Sequence, residues 1–138
     1  MGLDAVVYMS KRRVDETFGV SVSERCPMTG EPVSVANGAL PRRREMTACA
    51  ERIGNTALVA WLREHLAALL PASSIVLSRV LYSGSHCGDV IDVADVAILR
   101  RELTVLSRHD DQDVRTFAQR MERLATASLA EGNPIVFT

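Results

Sequence analysis

The stretch from Asp92 to Phe137 constrains the fold most, because it holds two apolar seams at helical spacing and then an apolar strand. In the first seam Val96, Leu99, Leu103 and Leu106 recur every three or four residues, the period that lines one face of an α-helix. Asp92 stands at the N-cap position of that helix, with Asp95 three residues on. In the second seam Val114, Phe117, Met121, Leu124 and Ser128 keep the same spacing. Asp110-Asp111-Gln112-Asp113 precedes it, where the helix macrodipole favours negative charge. Gly132 is placed to end the helix in a left-handed C′ conformation. Pro134 then leads into Ile135-Val136-Phe137, which reads as a strand. Leu3–Met9, LDAVVYM, is its counterpart at the other end, a short unbroken apolar run expected in the middle of a sheet. Helices with one apolar face each must bury it against another layer. The expectation is α+β, a single domain over 1–138, with four or five helices on a small sheet formed by the terminal strands.

The middle of the chain is less decisive. Met46, Cys49, Ala50 and Ile53 fall three and four apart, which predicts a helix from Arg44 to about Arg52. Gly54-Asn55 interrupts it. Asn55 then suits an N-cap, and Leu58, Leu62, Leu66 and Leu69 predict a second helix to Leu70, before Pro71; the alternative is one helix bent at Gly54. Trp61, beside Leu62 at the edge of the apolar seam, is expected in the core and not as a binding aromatic. Residues 74–82 suit a strand or a helix, and the helix is favoured, with Val76 and Val80 four apart. Residues 10–44 are rich in Gly, Pro, Ser and Arg and read as irregular and mobile, with room for a hairpin within 17–36 around Pro27, Gly30 and Pro32.

Charge and cysteine usage narrow the function. A net charge of −1 draws the chain toward neither nucleic acid nor anionic lipid. Lys11-Arg12-Arg13 and Arg42-Arg43-Arg44 are short and lack an aromatic platform, so they read as solvated surface. The odd cysteine count, Cys26, Cys49 and Cys87 with no CxxC, points to free thiols in a reducing compartment, and the expected location is the cytoplasm. No leader pattern opens the chain, and no apolar run approaches the ~20 residues a membrane span needs.

The stretch YSGSHCGD, residues 82–89, concentrates the polar chemistry. Gly84 and Gly88 permit tight turning, and Ser83, Ser85 and Asp89 can bond nearby amides, so one reading is a braced loop entering a helix. A second is a recognition surface of Tyr82, His86 and Asp89. A third makes Cys87 a reactive thiol at a helix start, although its neighbour His86 is poorly placed as a base, and His65 and His109 carry no signature. A metal site would need distant partners such as Cys26, Cys49 or His65 and lacks the usual paired spacing. No catalytic residue, metal ligand or cofactor is assigned on these grounds. Gly54-Asn55 and Gly132-Asn133 lack nucleotide-loop spacing and read as backbone turns.

Four pieces together, MGLDAVVY, RIGNTALVAWLREHL, YSGSHCGDVI…LRRELTVL and EGNPIVF, resemble a family of small, largely uncharacterised bacterial proteins. The third piece is also similar to some polymorphic-toxin immunity proteins, in which a His and an Asp near a glycine turn precede an LxxEL helix. Here those are His86, Asp89 and the helix through Leu99 and Leu103. The resemblance implies a small α+β domain in the bacterial cytoplasm and transfers no catalytic residues. The expected function is a non-enzymatic binding protein with a protein partner, in its sharper form an immunity protein that occludes a toxin. The alternative is a small enzyme or ligand- or metal-binding protein using the His86-Cys87-Asp89 loop.

Overall fold

The computed structural model describes residues 2–138. In chain order its elements are β1 (Gly2–Tyr8), α1 (Lys11–Phe18), β2 (Val22–Arg25), β3 (Pro32–Val35), β4 (Thr47–Asn55), α2 (Thr56–Leu66), β5 (Val90–Ile91), α3 (Val93–Leu106), α4 (Gln112–Glu131) and β6 (Ile135–Phe137). A 3₁₀ turn at Arg43–Met46 and a π-helical turn at Val76–Val80 complete them. The chain is an α+β domain, as its patterning predicts. The main sheet runs β4-β1-β6-β5, every pair antiparallel, and β2 with β3 forms a separate hairpin. Both terminal strands lie at the centre, with Ala5 opposite Phe137 and Val6 opposite Val136.

Alternation along β1 decides how the layers stack. Leu3, Ala5 and Val7 point into the core, and there they meet the two seams. Val96, Leu99, Leu103 and Leu106 of α3, and Val114, Phe117, Met121, Leu124 and Ser128 of α4, are all buried. Asn55 caps α2 by accepting the Leu58 amide at 2.7 Å. Asp111 caps α4 through the Asp113 and Val114 amides, and Gly132 ends it at φ 67°. Asp92 precedes α3 but makes no side-chain cap bond.

Other expectations are corrected. Residues 47–55 are a strand, not the end of a helix. Cys49 and Ile53 pack toward the helices, and Glu51 between them is matched by Arg123 of α4. That buttressed charge and the small Ala48 and Ala50 disguise the two-residue period. Helix α2 stops at Leu66; Leu69 is exposed, and Val59 joins Leu62 and Leu66 in the core. Trp61 is 38% exposed and stacks on His65 at 4.8 Å instead of entering the core. Within residues 74–82 the favoured helix is met only by the turn at Val76–Val80, closed by the Leu81 amide on Val76 O at 2.8 Å, the wide i→i+5 bond of a π turn, while Ser74, Leu81 and Tyr82 lie outside it.

Residues 10–44, read as irregular, carry α1 and the hairpin. Val14, Val20, Val22 and Met46 form a second small core, backed by Met9, Phe18 and Val35. Asn133 ties this unit to the sheet. Its Nδ2 donates to Tyr8 O at 2.8 Å and Met9 O at 3.2 Å, and its Oδ1 accepts from Arg25 at 3.3 Å. Gly30, at φ 76°, presses so close that a Cβ there would lie 2.4 Å from Asn133 Oδ1. The hairpin turn therefore sits beside Tyr8, on the sheet face away from the helices.

Candidate functional site

The π turn ends where YSGSHCGD begins, and the loop is braced from four sides. Glu102 of α3 accepts the Ile75 and Val76 amides at 3.0 and 2.9 Å, fixing the start of the turn. Arg63 of α2 donates to Leu81 O and Tyr82 O, both at 3.3 Å. Gly84 packs on Thr56 so closely that a Cβ would lie 2.7 Å from its Cγ2. Gly88, at φ 88°, donates to Phe137 O at 2.8 Å, and Asp89 O accepts the Phe137 amide at 2.9 Å. The loop is thus sewn to β6.

Within that frame Tyr82, His86 and Asp89 come together. His86 Nε2 lies 2.9 Å from Val80 O. A carbonyl only accepts, so Nε2 carries the proton. Nδ1 lies 3.0 Å from Asp89 Oδ2 but makes no hydrogen bond, so the approach is close in distance and poor in angle. The ring is sandwiched, 4.6 Å from Tyr82 on one side and 4.6 Å from Phe137 on the other. Its side chain is 6% exposed, so His86 supports the site from beneath. The Tyr82 hydroxyl donates to Asp89 Oδ2, and that bond, ahead of burial, raises the phenol above its ordinary pKa. Cys87 is exposed and does not line the cluster's hollow.

That hollow measures about 420 Å³. Tyr82, Gly88, Asp89 and Val90 form one wall, Ser78 and Arg79 another, and Met28 of the hairpin turn completes the lining. Arg79 is held by Asp95 at 2.7 Å. Met28 is 66% exposed and Tyr82 46%. The arrangement presents a fixed aromatic, a flexible thioether, a carboxylate and a paired guanidinium on one surface.

Sequence reasoning misses four supports: Glu102, Arg63, Met28 and Phe137. Glu102 is the acid of the LxxEL run, where a carboxylate between two core leucines gave the only signal. The basic clusters are largely paired: Arg12 with Glu16, Arg13 with Glu131 and Arg43 with Glu31. Among the described residues no group of three His, Cys, Asp or Glu side chains could hold a metal ion, and no helix is long and apolar enough to cross a membrane. Comparison with family models, curated proteins and solved structures finds no match.

Proposed function

We propose that the chain is a binding protein that engages a protein partner through the Tyr82–Asp89 hollow. The observation that carries this reading is the pair of exposed large side chains, Tyr82 and Met28, facing one hollow from separately anchored segments. Tyr, Met and Arg are enriched at the centres of protein interfaces. A loop already fixed by Glu102, Arg63 and β6 loses little freedom on binding. His86 gives its Nε2 proton to a backbone carbonyl, and Cys87 stands outside the hollow, which favours recognition over thiol chemistry.

The sharper form of the proposal is an immunity protein that covers the active site of a cognate toxin in the bacterial cytoplasm. It rests on the resemblance of His86, Asp89 and the LxxEL helix to that class. The test is affinity measurement against the product of the adjacent gene, with Tyr82→Ala, Met28→Ala and Asp89→Ala. The expected result is tight binding by the native chain and at least tenfold loss with Tyr82→Ala, as for an interface hot spot. Native affinity in all three variants, with folding intact, refutes the assignment of this surface.

A further inference from the structure

Beyond the hairpin turn, the same sheet face carries a second hollow of about 520 Å³. Val6 of β1 and Ala48 and Ala50 of β4 give it an apolar floor, and Val6 and Ala50 are direct cross-strand partners. Tyr8, Arg43 and Arg44 stand around it.

Three features of that rim select one ligand chemistry. Tyr8 is only 4% exposed as a residue, and it lines the hollow, where its hydroxyl bonds to no described residue. Burial first, and the charge of Glu31 next, push its pKa up, so the phenol keeps its proton and remains a donor. Arg43 is occupied by Glu31 at 2.5 Å, whereas Arg44 makes no ion pair or hydrogen bond with a described residue. A spare donor and an uncompensated cation thus stand over a floor of small apolar side chains.

We infer that this hollow binds a carboxylate carrying a short apolar body. The carboxylate accepts from the Tyr8 hydroxyl and the Arg44 guanidinium, and the body lies on Val6, Ala48 and Ala50. The carboxylate belongs either to a free small molecule or to the C-terminus of an extended peptide. A peptide has a track to follow, because β4 is an edge strand with β1 as its one neighbour in the sheet.

The test is ¹H–¹⁵N NMR titration of the whole chain with phenylacetate and with its uncharged analogue phenylacetamide. Two tetrapeptides, Ala-Val-Val-Ala with free and with amidated C-terminus, complete the set. The amides of Tyr8, Thr47 and Ala50 are expected to shift saturably with an acid, with a roughly millimolar midpoint suited to so small a ligand. The matching amide should bind at least tenfold more weakly. Tyr8→Phe keeps the ring and Arg44→Gln changes a solvated side chain, so both should fold, and each should weaken the acid about tenfold. Saturation by phenylacetate identifies a free small carboxylate; saturation by the free-acid peptide alone identifies a protein terminus. The inference is overturned if no acid saturates, if acid and amide act alike, or if both variants bind like the native chain.

Discussion

Glu102 joins the largest helical layer to the start of the candidate site, and its removal has a calculable cost. Its carboxylate takes the Ile75 amide at 3.0 Å and the Val76 amide at 2.9 Å. Both residues are buried, so water does not readily replace the lost acceptor. A hydrogen bond to a charged group contributes roughly 1.5–3 kcal/mol. Two bonds on one carboxylate do not add fully, and partial exposure of Glu102 trims the upper end. Glu102→Ala should therefore cost about 3 kcal/mol, and Glu102→Gln, which keeps one acceptor, about half. For a domain of this size 3 kcal/mol corresponds to a fall in Tm of roughly 10 °C. Urea unfolding followed by circular dichroism gives the energy. Amide exchange at Leu81, which closes the π turn on Val76 O, gives the location and should accelerate in Glu102→Ala. A cost below about 0.5 kcal/mol, with Leu81 exchange unchanged, would show that the turn stands without Glu102 and would falsify its role as the brace.

Further outcomes follow from the same geometry. Gly88→Ala places a Cβ at φ 88° and should destabilise by about 1–2 kcal/mol; equal stability in urea would mean that the loop relaxes freely. Asp89→Asn removes the charge that holds the Tyr82 proton, so the Tyr82 phenol should titrate at lower pH than in the native chain; an unchanged alkaline absorbance curve contradicts the Tyr82–Asp89 bond. Cys26 is held below the ordinary thiol pKa chiefly by the Thr29 hydroxyl, with the Thr29 and Met28 amides, whereas burial and then Glu51 push Cys49 up. As pH rises, Cys26 should therefore form thiolate and take up iodoacetamide before Cys49, and mass spectrometry showing the reverse order rejects that assignment. Asn133→Ala leaves Tyr8 O and Met9 O without their donor and should cost about 1–3 kcal/mol; a smaller loss by thermal melting would show the hairpin unit to be independently anchored.

How legible each part was follows from how local its cause is. Helices α3 and α4 show in the sequence because one face of each is apolar for its full length. Strands β1 and β6 show because they are short, apolar and bounded by turn residues. Strand β4 does not, since its inward Glu51 is neutralised by an arginine 72 residues away. Helix α1 buries only Val14, so it has no seam, although Ser10 and Gly19 mark its two ends. At the site, Tyr82, His86 and Asp89 were legible as a group because three polar side chains crowd two glycines. Their division of labour was not. Whether an imidazole faces outward or lies between Tyr82 and Phe137 depends on a strand 49 residues on, and no local pattern reports it.

The position of β6 has a consequence for how the molecule is made. Residues 135–137 fill the slot between β1 and β5, so a ribosome has delivered every other described element before this strand of the sheet exists. Until then β1 exposes one flank as an unfilled seat, and the Gly88–Asp89 loop has no Phe137 to fasten it. The nascent chain should consequently remain open to proteases and chaperones until a late, cooperative closure, with the recognition loop among the last parts to set.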